Sequence, residues 1–173
     1  MSSATSSKSS SIIAAEYLRE LESEAHATRQ CLEQVPLDDP KWKPHEKSME
    51  LGYLATLVAD IPRWVQHIVE SGTIDFTSWE QKNPGTSHEL VALFDENMAA
   101  ATRALENMSD ADLTKEFQLK NGDQLLMATP VGESISSAIN HMVHHRGQLT
   151  VYLRLNDKLV PSIYGPSADS RGF

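Results

Sequence analysis

The chain has 173 residues, 40% of them hydrophobic, which is the size and composition of one domain around one core. Its 24 acidic residues outnumber 15 basic ones for a formal net charge of -9, which opposes binding to a phosphate backbone and excludes nucleic acid as the expected partner. No stretch approaches the roughly 20 apolar residues needed to span a bilayer, and the Ser-rich start lacks the apolar run of a secretory signal, so a cytoplasmic location is expected.

Residues 1–11 read as a disordered arm, and residues 12–173 as a single helical domain. From Ile12 to about Val35, Ile13, Tyr17, Leu21, Ala25 and Leu32 recur at three- and four-residue steps, the pattern of an amphipathic helix. Cys31, the only cysteine, lies within it; an internal disulfide is excluded, and Arg29 alone makes a poor setting for a reactive thiol. Pro36, Pro40 and Pro44 then force a loop over Leu37 to Lys47, because proline has no amide for a helix interior.

Ser48 is positioned to cap a second helix, in which Leu51, Leu54, Leu57, Val58, Ile61, Val65 and Ile68 share one face and Pro62 is expected to introduce a kink. The turn-rich segment Ser71 to Gly85 leads to a third helix, roughly Ser87 to Asn107, with Leu90, Leu93, Phe94, Met98, Ala101 and Leu105 on its apolar side. Glu116 to Met127 reads as a short exposed hairpin around Asn121-Gly122. Thr129-Pro130 precedes a fourth helix from about Val131 to Asn156, and the segment from Lys158 onward, with Pro161, Gly165 and Pro166, should be irregular. The predicted fold is all-α: an antiparallel four-helix bundle with a β-hairpin between helices 3 and 4.

The candidate chemistry lies on the fourth helix. At about 100° per residue, His141 and His145 stand one turn apart and about 40° around the axis, so two imidazoles can converge on one cation. Ile135, Ala138, Met142, Leu149 and Leu153 mark the buried stripe; His145 falls at its border, His141 further round, and His144 on the far side. The bland alternative is a solvated helix edge, since two ligands do not make a site. No His-Glu-x-x-His is present to supply a built-in base.

The run His141 to Leu149, containing His145, Arg146, Gly147 and Gln148, resembles the DinB family, as do Tyr152 to Leu155, Val160-Pro161 and Tyr164 to Asp169. Upstream, Tyr17 to Glu22 with Arg29, Trp42 to Met49 and Leu54 to Pro62 look similar to the corresponding family segments, so the resemblance runs from Ile12 to Asp169. It implies a four-helix bundle, often homodimeric, holding a divalent ion (zinc, nickel or iron) on one second-helix histidine and two fourth-helix histidines. His141 and His145 match the latter two. The family it points to includes transferases and isomerases using small bacterial thiols beside stress-inducible members with no assigned reaction, so a metal-dependent hydrolase or thiol-dependent transferase is the expected class; the family name does not imply DNA binding.

The second-helix ligand position aligns with Leu57, which cannot bind a metal and belongs to the apolar stripe. His67, ten residues on, is about 15 Å away along a helix and too far to substitute. Asp60, three residues on, and His45, in the Pro-rich loop, are the geometrically open replacements. Arg146 and Gln148 are expected to bond a neighbouring helix or a substrate anion. Gly147 is expected where another backbone approaches, and Trp64 and Tyr152 either line a pocket or fill the core. Two readings stay open: a metal-dependent enzyme with a degenerate site on His141 and His145, and a metal-free module for a small molecule or a partner protein in stress response.

Overall fold

The computed structural model describes residues 11–171. Of the expected arm, residues 1–10 lie outside the described residues, and Ser11 is no part of a loose tail: its hydroxyl accepts the Ala14 amide at 3.1 Å and caps the first helix. That helix, α1 (Ile12–Glu33), buries Ala14, Leu21, Cys31 and Leu32. Ile13 is half exposed, so the buried face starts one residue later than the spacing predicts.

The second helix, α2 (Leu51–Glu70), begins at Glu50 without a side-chain cap. Ser48 is displaced from that role because the Pro-rich loop supplies carbonyls instead: Leu51 N–H donates to Trp42 O and Gly52 N–H to Pro40 O, both at 2.8 Å. The helix continues through Pro62. Its apolar stripe is buried from Leu51 to Ile68 except at Leu57, which is only partly covered.

A strand that the sequence reading missed follows, β1 (Thr73–Asp75), and then α3 (Ser87–Glu106), capped by Thr86. A single further turn, α4 (Asp110–Leu113), was also not anticipated; Ser109 and Asp112 close it as a capping box. The hairpin is present as β2 (Glu116–Asn121) and β3 (Gln124–Pro130). Asn121 pairs with Gln124, so the two central loop residues are Gly122 and Asp123, with Gly122 at φ 61° where a tight hairpin needs a left-handed residue. The last helix, α5 (Val131–Leu155), starts directly after Pro130, and residues 156–171 form no regular element.

The all-α expectation is therefore corrected in one respect. The hairpin belongs to a three-stranded sheet in the order β1-β2-β3, with β1 parallel to β2. Asp75 ties the sheet together: its Oδ1 accepts the Gly122 amide at 2.9 Å and the Thr77 amide and hydroxyl at 2.9 and 2.8 Å. Ile74 and Phe117 turn inward from this sheet and are buried, whereas β3 is exposed along nearly its whole length.

The helices share one core. α2 packs against α3 and α5, and α1 against the same two, so that α1 and α2 touch little directly. The buried stripe of α5 is the expected one, Ile135, Ala138, Met142, Leu149 and Leu153, joined by Leu54, Val58, Ile61, Leu90 and Phe94. Packing that stripe inward carries His145 to the buried border of α5 and sets His141 beside Trp64 of α2.

Candidate functional site: an imidazole pair beside an aromatic cavity

His141 and His145 meet as their spacing requires. Their Nε2 atoms are 2.8 Å apart, and His145 is 6% exposed. Gln148 Oε1 lies 2.7 Å from His145 Nδ1. The two Nε2 atoms are within hydrogen-bond distance, with the donor set by the tautomers of the two rings. Burial, and then the neighbouring His145 and His144 rings, push His141 down to about 4. Burial lowers His145 as well, only partly opposed by the Gln148 bond. Both shifts favour the neutral imidazole.

Two imidazole nitrogens on a tetrahedral zinc, each about 2.0–2.1 Å from the metal, stand roughly 3.3 Å apart. The pair here is closer and already satisfies itself. Among the described residues no group of three His, Cys, Asp or Glu side chains is placed to hold a metal ion. The donor set thus falls one short of the three-histidine set implied by the resemblance, and no metal-borne step follows from it.

The replacement ligands are engaged elsewhere. Asp60 Oδ2 accepts from Trp79 Nε1 at 3.0 Å and from Arg63 Nη2 at 3.2 Å. Burial raises its pKa, with Arg63 pulling the other way. His67 packs its ring against Trp79, 4.9 Å between centroids, and is lowered by burial. His45 is exposed and accepts the Lys47 amide at 3.1 Å. His144 is exposed, though its ring leans on His145 at 5.0 Å.

Arg146 is 1% exposed and wholly internal: it pairs with Glu24 Oε2 at 2.6 Å and donates to Glu24 O, Thr28 Oγ1 and Tyr164 Oη at 3.1, 3.1 and 2.9 Å. It ties α5 to α1 and to the C-terminal segment, so of the two roles left open for it the structural one holds. Gly147 is a correction: a Cβ there would meet nothing within 4 Å, so no backbone approach explains it. Nothing in the structure explains this glycine. Tyr152 is a core aromatic, edge-on to Trp42, with its hydroxyl donating to Met49 O at 3.0 Å.

Trp64 takes the other role. Its ring lies 5.5 Å from that of His141 and lines a cavity of about 660 Å³. Leu57, Asp60, Phe76 and Trp79 line the same cavity, with Tyr53, Lys41 and Lys82. Trp64 and Trp79 meet edge-on at 6.0 Å, and Arg63 stacks on Trp79 at 3.9 Å. The cavity is of small-molecule size and its lining is mixed, the aromatic side chains being joined by the polar Glu50, Thr56, Gln81 and Asn83 as well as the lysines and Asp60. Sequence reasoning missed Phe76, Trp79 and the two lysines, because they come from loops; the one available signal was a tryptophan in an otherwise polar, turn-rich stretch.

The DinB family profile matches residues 1–170 of this chain. The chain belongs to the DinB family. It is 27% identical over 157 residues to the uncharacterized protein YrdA of Bacillus subtilis, a match covering 88% of this chain and 89% of that one. The fold is similar to that of a DinB-like protein from Bacillus subtilis, at a TM-score of 0.67 and 19% identity over 90% of this chain and 99% of that chain. A DinB-like protein from Bacillus cereus superposes with the same TM-score at 23% identity, covering 87% of this chain and 97% of the other. The DinB resemblance read from the His141 to Leu149 run is thus correct. Among the described residues no helix is long and apolar enough to cross a membrane.

Proposed function

We propose that this DinB-family chain binds a small molecule in the aromatic cavity, with the neutral His141–His145 pair replacing what the resemblance implies as a metal centre. One observation carries this reading: Leu57 lines the cavity at the position where the resemblance implies a histidine, leaving two donors bonded to each other. The cavity then keeps the ligand chamber while the chemistry behind Trp64 changes. The surrounding helices are taken as an antiparallel four-helix bundle, and the chain as a cytoplasmic homodimer with neither nucleic acid nor membrane as partner.

The test is elemental analysis of protein purified without a histidine tag, together with His145→Ala. Metal below about a tenth of an ion per chain, unchanged by the substitution, is the expected result. Stoichiometric metal lost on His145→Ala overturns it in favour of a second reading. In that reading the chain is a metal-dependent enzyme of the hydrolase or thiol-transferase class, with zinc, nickel or iron on His141, His145 and waters. The Gln148 contact to His145 Nδ1 favours it, since metal-binding histidines carry such a partner. Restoring the third donor with Leu57→His should strengthen zinc or cobalt binding at least about tenfold. A flat response removes the inferred equivalence of Leu57 to a ligand position.

A further inference from the structure

The outer face of α5 differs in charge from those of α1 and α3. From Ser134 to Leu153 the only charged residue is Arg146, and that one is buried at 1% exposure. Asn140, His144, Gly147 and Val151 lie exposed along this run, within about 60° of one another around the helix. The outer faces of α1 and α3 instead carry Glu16, Glu20 and Glu22, and Asp95, Glu96 and Glu106.

Gly147 stands in the middle of the uncharged face. Glycine weakens a helix interior, and since a Cβ there would meet nothing within 4 Å, no contact inside the chain offsets that loss. Val151 and Leu155, one and two turns further on, leave more than half their surface in water, at 56% and 55% exposure.

The two ends of the face carry opposite charges. Glu133, in the first turn, is exposed and forms no salt bridge among the described residues. Arg154, in the last turn, donates from Nη1 and Nη2 to Asp169 at 3.3 and 2.5 Å, but its side chain is 49% exposed and its Nε makes no hydrogen bond among the described residues. At about 1.5 Å per residue the two charges are about 32 Å apart along the axis. A second α5 laid antiparallel on the first, with a two-fold axis between Val143 and His144, sets Glu133 of each copy against Arg154 of the other. The same register sets Asn140 against Gly147 and Val151 against Ser136, a larger side chain over a smaller one each time.

Resting on the homodimer reading above, we propose that the uncharged outer face of α5 joins two copies of this chain in that antiparallel register, Gly147 of each admitting Asn140 of the other. Each copy brings a net charge of -9, so self-contact through the acidic faces of α1 or α3 crowds like charges, whereas α5 meets its own copy with charges only at its ends and of opposite sign.

Sedimentation velocity on the full chain from about 1 to 100 μM measures the association. Gly147→Leu fills open space within one copy, so the melting of dilute protein should not fall, while the dissociation constant of the dimer should rise at least about tenfold. His144→Cys sets two thiols beside the two-fold axis, and mild oxidation should join the copies by a disulfide that the unmodified chain, with Cys31 buried, does not form. A dimer that His144→Cys fails to crosslink, or whose affinity Gly147→Leu leaves unchanged, overturns the proposal and leaves the homodimer reading standing on another surface. A chain still monomeric at about 100 μM removes the homodimer reading together with it. Where Gly147→Leu fails to fold, the crosslink in folded His144→Cys decides alone.

Discussion

Replacing Arg146 with methionine isolates the contribution of the one arginine that the fold buries outright. The substitution keeps an unbranched side chain of similar reach on α5 but removes the ion pair to Glu24 Oε2 at 2.6 Å and the bonds to Glu24 O, Thr28 and Tyr164. Glu24 is 13% exposed at its side chain, so its carboxylate would be left largely buried without a cation. Breaking a buried pair from one side costs about 3–5 kcal/mol. Tyr164 still donates to Glu24 Oε2 at 2.9 Å, which places the loss near the lower end, about 3 kcal/mol. At roughly 2–4 °C per kcal/mol for a domain of this size, melting should fall by about 6–12 °C. Urea denaturation measures it directly: the midpoint should drop with an unchanged slope. The double variant Arg146→Met with Glu24→Leu should recover most of the loss, since no charge is then stranded. A single-variant loss below about 1 kcal/mol, or a double variant no more stable than the single one, refutes the buried-pair reasoning.

The histidine pair predicts a pH dependence. His141 sits near 4 in the fold against 6.5 in an unstructured chain, so between those values the unfolded chain binds more protons and stability falls as pH falls, by up to about 1.4 kcal/mol per pH unit for this one group. Urea midpoints measured from pH 7.5 to 4.5 should show the decline, and His141→Gln should flatten it; an NMR titration placing His141 at 6 or above sinks the argument. Gly52→Ala should destabilise the chain by about 1–3 kcal/mol despite alanine's better helix propensity, because its Cβ would stand 2.8 Å from Pro40 Cβ. A neutral or stabilising result in the same assay shows that the Pro-rich loop yields freely. Cys31 is buried with its thiol pushed up to about 11 by that burial, so alkylation at pH 8 should be slow in native protein and fast in denaturant. Native labelling at the rate of a free thiol contradicts the packing of α1.

Much of the scaffold was legible because the information is local. The apolar stripes of α2 and α5 repeat at helical spacing, and Gly122 supplies the left-handed residue that a tight hairpin loop needs, so these elements read directly. The errors fall where distant residues decide. Ser48 has the chemistry of a cap, but Trp42 and Pro40 carbonyls reach the first amides of α2 first. Three residues, Thr73 to Asp75, carry no strand pattern of their own; β1 exists because β2, far along the chain, pairs with it in parallel. Gly147 invited a packing explanation that its open surroundings do not support.

The candidate site divides in the same way. A four-residue helical step brings His141 and His145 together whatever else the chain does, and the sequence alone determined that pair and the apolar residue at position 57. Only the tertiary structure decided that Asp60 is claimed by Arg63 and Trp79, that Arg146 is an internal tie, and that Trp64 both touches His141 and lines a cavity. The physical reason is range: helical periodicity is a property of neighbours along the chain, whereas burial, partner choice and cavity shape depend on which loops cross above α2, and no short stretch of sequence encodes that crossing.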